Sequence, residues 1–538
     1  MPKSSRLLLV LYASTLLADT YPRQPGVDVQ HYVFRVSLSD DNDAIEGETT
    51  VDLRFVNPGV AQFGLDLASA KDGKGMTVSE VSANGVMPRY SHASDRLTIT
   101  LPEAPRAGER RQVTVKYRGV PAAGLRFVKN KYGERGIFSA NWPDLAHQWL
   151  PTIDHPYDKA TSEFIVTVPV RYQVVANGRL VEELDLGDGR RVTHWQEAAP
   201  IATWLNNIAV AQFASRHFGN VAGVPLETWV FHQDRDKGIA TFEEPARRAV
   251  EFFSEYVGPY PYEKLAHVQN GAAAGGGMEH ASAIFYGQNA VSGTPAYSLV
   301  AHETAHQWFG DSVTEKDWDD VWLSEGFATY FSLLCTEHFE GRDAFVAGLK
   351  RSRGQIFPLE KRLGGTSVVQ DKPWSGIPNG VIYQKGGWTL HMLRGLIGSE
   401  RFHAGIREYY RRYRDGNAST ADFRAVMEAV AGMNLEWFFQ QWLYRPGSPA
   451  IEGTWSYDTT ARSVTIELAQ MQDGEPYRLP IEVGITAPGR QGAPQMRIEK
   501  IEMTGKQQKF GIAADQAPNS VELDPNTWVL MDTKFVRR

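Results

Sequence analysis

Residues 302–325 of the chain read HETAHQWFGDSVTEKDWDDVWLSE, and this stretch decides the fold of the central part. His302 and His306 are four residues apart, so on a helix they project from the same face, one turn above the other. Glu325 follows His306 after a gap of eighteen residues. Two imidazoles and one carboxylate give a zinc ion three ligands and leave the fourth position open, which predicts a catalytic site rather than a structural one. Glu303 is placed to take a proton from a water molecule at that position.

The pattern around this motif is helical. Residues 296–309 form a helix-like segment that ends at Gly310, a typical helix stop, and the run 322–339 presents Glu325 from a second helix. The pentad HExxH also occurs by chance, as two surface histidines beside a solvated glutamate. The helical context and the distal glutamate favour the metal site over that alternative.

Composition sets outer limits on the function. A chain of 538 residues, with 42% apolar and 11% aromatic residues, can bury large cores in three or four domains. The formal net charge is −7, from 56 basic and 63 acidic side chains, without a long run of either sign. This balance argues against nucleic acid or an anionic membrane surface as the main partner. Cys335 is the single cysteine, so an internal disulfide is excluded. We expect Cys335 to be buried as a small apolar side chain.

The N-terminus resembles an export signal. Lys3 and Arg6 precede an apolar run from Leu7 to Ala18, which has signal-peptide length and is too short to span a bilayer. We therefore predict a signal peptide over residues 1–18 and a secreted or periplasmic mature protein without a membrane span. Leu16 is larger than the residue preferred two positions before Ala18, so a hydrophobic extension on a cytoplasmic enzyme is the alternative.

The periodicity divides the rest of the chain into three blocks. Period-two apolar placement predicts strands at 31–38, 49–56, 96–101, 111–117 and 163–170. Apolar residues three and four apart predict helices at 243–258, 387–398 and 421–432, before Arg445, Pro446 and Gly447 break the pattern. Short strands return at 453–458, 463–470, 479–487 and 495–503, as in a small β-sandwich. The predicted domains are 19–220 (β), 221–446 (mostly α) and 447–538 (β).

Two clusters lie outside the zinc helices. The run GGGMEH (275–280) contains three glycines that let a backbone approach a ligand closely, and no Gly-Lys-Ser/Thr follows to make it a phosphate loop. Glu279 there could meet a cation, although composition alone favours an ordinary loop with a solvated glutamate. The run YQKGG (383–387) opens a strongly helical stretch, and nothing in its spacing marks Tyr383 as catalytic.

Four motifs carry a resemblance to a known family. GGMEH (276–280), HETAHQWFGDSVT (302–314), WLSEGFATY (322–330) and YQKGGWTLHMLR (383–394) look like the gluzincin metallo-aminopeptidases, the family of aminopeptidase N and leukotriene epoxide hydrolase. WLPTIDHP (149–156) also resembles the family's N-terminal segment that packs on the site. The resemblance implies a multidomain α+β chain with an N-terminal β saddle domain, a thermolysin-like, mostly α catalytic domain and a small C-terminal β-sandwich.

The resemblance also implies roles for individual residues. His302, His306 and Glu325 match the ligands of one zinc ion per chain, and Glu303 matches the general base. Tyr383 matches the tyrosine that hydrogen-bonds the oxyanion, and Glu279 matches the glutamate that binds the substrate's α-amine. Gly276 and Gly277 match the glycines whose backbone aligns the peptide, and Met278 beside them is a further predicted substrate-binding residue.

The sequence departs from the family pattern at two points. His280 stands where the family most often has Asn, which leaves the chemistry intact but bears on how Glu279 is held. The family's second amine-binding Gln or Glu falls near Asn141 and Trp142, where this chain has no carboxylate. Asn141 is a weak candidate for that place, so we expect the amine site to depend mainly on Glu279.

Taken together, the motifs predict a zinc exopeptidase that releases N-terminal residues from peptides with a free N-terminus. Three alternatives stay open at this point. The same site could hydrolyse an epoxide, as one family member does. A zinc endopeptidase would have no use for Glu279. A metal-free scaffold or binding protein is the non-enzyme alternative, which the intact ligands and base disfavour.

Overall fold

The computed structural model describes residues 19–369, 380–488 and 493–538, so the predicted signal peptide lies outside the described residues. Residues 19–211 are β-rich. Their strands are β1 Val27–Ser37, β2 Ile45–Phe55, β3 Gln62–Asp66, β4 Gly75–Ala83, β5 Arg89–Ala93, β6 Arg96–Thr100, β7 Arg110–Val120, β8 Gly124–Lys129, β9 Arg135–Ala140, β10 Lys159–Pro169, β11 Gln173–Ala176, β12 Arg179–Asp185, β13 Arg190–Ala202 and β14 Ile208–Ala211.

The main N-terminal sheet has seven strands in the order β12-β13-β10-β1-β2-β7-β4. Alternate residues of β10 are buried, among them Phe164, Val166 and Val168, which is the period-two pattern that predicted this strand. Four of the strands, β11-β14-β9-β8, form a second sheet, and the order β3-β6-β5 gives a small third one. The predicted strands of this block all have counterparts here.

The central part is mostly helical. Its elements are β15 Phe213–Val221, β16 Val224–Phe231, α1 Arg235–Tyr256, β17 Leu265–Asn270, β18 Gly277–Met278, β19 Ala283–Gly287, α2 Tyr297–His306, β20 Val313–Glu315, α3 Trp322–Glu340, α4 Arg342–Leu363, α5 Gly380–Ile397, α6 Ser399–Tyr413, β21 Gly416–Ala418, α7 Thr420–Ala431, α8 Glu436–Phe439 and a π-helix Gln440–Tyr444. The sheet order is β15-β16-β17-β19-β18. The first strand of this sheet, β15, begins before the predicted domain boundary at 220 and ends just after it. The position of that boundary stays a prediction.

Strands return at the C-terminal end, as predicted. They are β22 Ala450–Asp458, β23 Ser463–Gln470, β24 Leu479–Pro488, β25 Pro494–Met503, β26 Gln507–Ala513, β27 Ser520–Leu523 and β28 Asp532–Arg537. They form one sheet in the order β26-β23-β22-β28 and another in the order β25-β24-β27. The predicted β, α, β fold class is thereby confirmed. None of the described helices is long and apolar enough to cross a membrane.

The N-terminal β-rich part is tied directly to the end of the α2 region. The Lys159 ammonium, buried on β10, donates hydrogen bonds to the carbonyl oxygens of Asp311 and Ser312 at 2.9 and 2.8 Å. These carbonyls lie just beyond the helix that carries His302 and His306. The β-rich part therefore helps to fix the loop that leads from α2 towards α3.

Candidate metal centre

Helices α2 and α3 bring the three predicted metal ligands together. The Nε2 atoms of His302 and His306 are 3.2 Å apart. Glu325 Oε2 lies 3.4 Å from the first of these nitrogens and 3.3 Å from the second. Ligand atoms about 2.0–2.1 Å from a tetrahedral zinc ion lie about 3.3 Å from one another, so this triangle has the size that zinc requires. The donor set is thus that of a zinc site with one open position.

Hydrogen bonds to its second ring nitrogen orient His306. His306 is almost fully buried, and its Nδ1 lies 2.9 Å from Ser324 Oγ and 3.3 Å from the carbonyl oxygen of Phe309. For Nε2 to face a cation, Nδ1 must carry the ring proton and donate it to these oxygens. Ser324 immediately precedes Glu325, so the same turn of α3 supplies one ligand and holds another. This role of Ser324 was not predicted from the sequence, in which its adjacency to Glu325 was the available signal.

Glu303 lies in a narrow space against the glycine-rich strand. Its side chain is 5% exposed, and burial together with the nearby Glu279 carboxylate raises its pKa well above the ordinary value. A Cβ added to Gly277 would lie 2.3 Å from Glu303 Cδ and 2.4 Å from its Oε1. Only a glycine fits at that position with this placement of the carboxylate.

The strand beside Glu303 carries the other predicted substrate residues. Gly277 and Met278 form β18, the last strand of the five-stranded sheet as described, and Met278 pairs with Phe285. Gly276 precedes the strand with a φ of +78°, a conformation that favours glycine. β18 therefore offers a strand edge close to the base.

Glu279 follows this strand and is buried beside the metal ligands. Ligand atoms of Glu279, Glu303 and His306 all lie within 4.8 Å of one another. Glu279 Oε1 is 3.9 Å from His306 Nδ1 and has no hydrogen-bond partner among the described residues. Burial raises the pKa of Glu279 to about 6. A buried carboxyl group with an oxygen that accepts no hydrogen bond is complementary to a small cation.

Tyr383 reaches the site from α5. Its hydroxyl donates a hydrogen bond of 2.6 Å to Glu325 Oε1, and its ring lies roughly parallel to that of His302 at 6.2 Å. The hydroxyl is therefore beside the carboxylate of one of the three predicted ligands. Burial and, to a smaller extent, the negative charge of Glu325 raise the pKa of Tyr383, so its hydroxyl stays protonated and can donate a hydrogen bond at neutral pH.

The charge of Glu325 is held by its two histidine neighbours. Although burial acts in the opposite direction, the hydrogen bonds with His302 and His306 lower the pKa of Glu325 to about 2. The carboxyl group is therefore ionised throughout the physiological range, which is the state in which it can bind a metal ion.

The two departures from the family pattern have clear structural positions. Asn141 is fully buried; its Nδ2 donates to the carbonyl oxygen of Asn206 at 2.6 Å, and its Oδ1 accepts from Trp149 Nε1 at 2.9 Å. Both the nitrogen and the oxygen of the Asn141 amide are thus hydrogen-bonded within the protein. The His280 ring packs edge-on against Phe285, and burial lowers its pKa to about 3, so it is neutral. Neither residue adds a charge beside Glu279.

Comparison with known proteins agrees with this geometry. Residues 28–205 match the model of the peptidase M1 N-terminal domain, and residues 242–442 match that of the peptidase family M1 domain. The chain belongs to peptidase family M1. The second match contains all three predicted zinc ligands, Glu303 and Tyr383. The first contains Lys159, which is hydrogen-bonded to the loop that follows α2.

Relatives and solved structures within the M1 family extend the match. Glutamyl aminopeptidase of Sus scrofa is 27% identical over 65% of this chain, and probable aminopeptidase 1 of Saccharolobus solfataricus is 25% identical over 76%. The chain spans 39% of the first relative's length and 54% of the second's. The crystal structure of an M1 zinc metallopeptidase from Deinococcus radiodurans superposes with a TM-score of 0.67 at 25% identity, covering 78% of this chain and 93% of that one.

Proposed function

We propose that this M1-family chain is a zinc-dependent aminopeptidase that hydrolyses the first peptide bond of peptides with a free N-terminus. The observation that carries the proposal is Glu279, a buried carboxyl group whose Oε1 lacks a hydrogen-bond partner among the described residues. It stands within 4.8 Å of ligand atoms of Glu303 and His306. A substrate ammonium bound there would fix the register of the peptide, so that only its first peptide bond reaches the metal ligands.

The surrounding residues supply the rest of the reaction. Zinc held by His302, His306 and Glu325 would supply a Lewis acid that polarises the scissile carbonyl group. Glu303 accepts a proton from the attacking water and delivers it to the leaving amine. The Tyr383 hydroxyl donates to the carbonyl oxygen as negative charge develops on it, a contact of a kind worth about 3 kcal/mol.

The names of the relatives support this proposal. Those compared above are described as aminopeptidases, and a two-domain M1 zinc metallopeptidase variant, 25% identical with a TM-score of 0.68, has been solved with L-arginine bound. A free amino acid is the product that cleavage at the first peptide bond releases. No observation in the described residues favours an epoxide substrate.

The test compares peptides that differ only in the charge of the first residue. Wild-type protein with stoichiometric zinc is assayed on one peptide with a free N-terminus and on its N-acetylated form, with and without a chelator. Acetylation leaves the Glu279 carboxyl group buried without a cation to bind, at a cost of about 1–3 kcal/mol or more, so the free peptide should react at least about fivefold faster in kcat/KM. Glu279→Gln keeps the shape, removes the charge, and should lose most of that preference.

Each rival has its own signature in the same assays. Similar kcat/KM for both peptides would indicate an endopeptidase and contradict the proposal. Turnover of an epoxide without turnover of aminoacyl reporters would indicate the second hydrolase class. A purified protein that binds no zinc and cleaves neither peptide would be the metal-free binding protein.

A further inference from the structure

The glutamine that follows the second zinc ligand is a hydrogen-bonding hub. Gln307 is fully buried at the end of α2, directly after His306. Its Nε2 donates to the carbonyl oxygen of Glu279 at 2.8 Å and to Asp311 Oδ2 at 2.7 Å. Its Oε1 accepts from the backbone N–H of Ser282 at 2.8 Å and from the Tyr260 hydroxyl at 3.1 Å. A glutamine amide has two donors and two acceptor positions, and all four are used here.

Two of these bonds hold one short segment at both ends. The carbonyl of Glu279 and the N–H of Ser282 are three residues apart, and the same amide binds both. Ser282 has a φ of +61°, which is uncommon for a residue with a side chain. The segment therefore follows a tight path that the Gln307 amide helps to maintain.

The orientation of the amide is set by its backbone partners. A carbonyl oxygen can only accept and a backbone N–H can only donate, so Nε2 must face Glu279 and Oε1 must face Ser282. Asp311, four residues further along the chain, takes a hydrogen bond from Nε2. Turning the amide over would set its N–H groups against the N–H of Ser282 and its oxygen against the carbonyl of Glu279.

The N-terminal β-rich part holds the same segment from the other side. Asn177 Nδ2 donates to the carbonyl oxygen of Ala281 at 2.7 Å, and the N–H of Gly178 donates to Ser282 Oγ at 2.6 Å. Gln307 is the contact that comes from the metal-binding helix itself. Gln307 directly follows His306 in the chain and hydrogen-bonds the Glu279 carbonyl, so it connects Glu279 to a zinc ligand through a single residue.

We propose that Gln307 is a positioning residue for the amine site: it sets where Glu279 stands relative to His306, whose Nδ1 is 3.9 Å from Glu279 Oε1. This inference rests on the proposed function, in which Glu279 receives the substrate's ammonium group. Gln307 touches neither substrate nor metal in this scheme. Its loss should therefore impair the reading of the free amine more than the binding of zinc.

The test uses Gln307→Glu in the full chain. The variant keeps the shape of the side chain but replaces two N–H donors by a carboxyl group, which has at most one O–H donor, so residue 307 can no longer donate to both the Glu279 carbonyl and Asp311. We expect kcat/KM on the free peptide to fall by about tenfold to a hundredfold, as for other displacements of a positioning group. The ratio of free to acetylated turnover should shrink, while zinc stays at one per chain.

A matched control lies far from the site. Gln470 on β23 is 4% exposed; its Nε2 donates to the Tyr477 carbonyl at 2.8 Å and its Oε1 accepts from the Tyr477 N–H at 2.8 Å. Gln470→Glu makes the same chemical change at another buried amide that bridges backbone groups. It should leave the free-to-acetylated ratio at the wild-type value, even where it lowers stability.

The outcomes separate the two proposals. If the wild type shows no preference for the free amine, the proposed function fails, whatever the variants do. If the wild type has the preference and Gln307→Glu keeps it, or loses zinc in parallel with activity, Gln307 does not position Glu279. Should Gln307→Glu not fold, Gln307→Met removes the hydrogen bonds without adding a buried charge, and an unchanged ratio in that variant overturns the inference equally.

Discussion

Gly277 lies so close to Glu303 that one added methyl group should slow the reaction. In Gly277→Ala the new methyl group would lie 2.3 Å from Glu303 Cδ, whereas ordinary contact begins near 3.4 Å. One of the two groups must therefore move by about 1 Å, and a displacement of that size at a catalytic group can reduce the rate about a hundredfold. That loss corresponds to about 2.7 kcal/mol of transition-state stabilisation. We expect kcat to carry it, because the displaced group acts in the chemical step.

The assay measures kcat, KM and zinc content of Gly277→Ala beside those of Gly275→Ala. Gly275 is the matched control, because a Cβ there would meet nothing within 4 Å. Its substitution should leave kcat within about threefold of the wild type, as expected for a change without steric conflict. If Gly277→Ala also stayed within that range with full zinc, the general-base geometry described here would be wrong.

Three further substitutions test the site, and a fourth tests the pH dependence of stability. Glu303→Gln should keep zinc at one per chain while kcat falls by about 10²–10⁴, and near wild-type activity would reject the general base. Tyr383→Phe should lower kcat by about a hundredfold with little change in KM, whereas a change in KM alone would mean that the hydroxyl only binds or packs. Glu325→Ala should lower the zinc content measured by elemental analysis and remove the effect of a chelator on Tm, since one of three ligands is lost. Glu315→Gln concerns stability, because the buried Glu315 has no hydrogen-bond partner for either carboxyl oxygen among the described residues. Burial raises the pKa of Glu315 from 4.5 to about 8. The folded state therefore binds the proton more tightly than the unfolded state, and the free energy of unfolding falls as pH rises from 4.5 to 8. The variant should match the wild type near pH 4.5 and be more stable above pH 8, by at most about 5 kcal/mol, and equal pH dependence of Tm in the two proteins would contradict this.

The ligand triangle could be predicted from sequence because its parts are local. The spacing of His302 and His306 needs only a helix, and the spacing to Glu325 needs only a turn into a second one. The end of the first helix was placed less well. The periodicity predicts helix up to residue 309, but α2 ends at His306. The N–H groups of Gln307 and Trp308 bond carbonyls three residues back instead of four, and that of Gly310 bonds the Val313 carbonyl. A tight turn of this kind leaves little trace in apolar periodicity.

The place of Glu279 could not be derived from its own neighbours. By composition, the run 275–280 reads as a loop with a solvated glutamate, and only the family resemblance pointed to an amine site. In the structure the glutamate is buried, because Gln307 and the N-terminal β-rich part hold the following residues from two sides. Contacts between residues so far apart in the chain have no local signal in a single sequence.

The position of Tyr383 depends on glycines where α3 and α5 cross. Helices α3 and α5 approach so closely that a Cβ on Gly326 would lie 3.0 Å from the backbone of Gly386. Gly326 follows the ligand Glu325, and Gly386 lies three residues, or almost one helical turn, beyond Tyr383. Two side chains at this crossing would force the helices apart and draw the tyrosine hydroxyl away from Glu325, to which it is bonded at 2.6 Å. Gly326 and Gly386 therefore contribute to the active-site geometry, although neither has a side chain that could take part in the reaction. Their role depends on the contact between α3 and α5, which the sequence alone does not reveal.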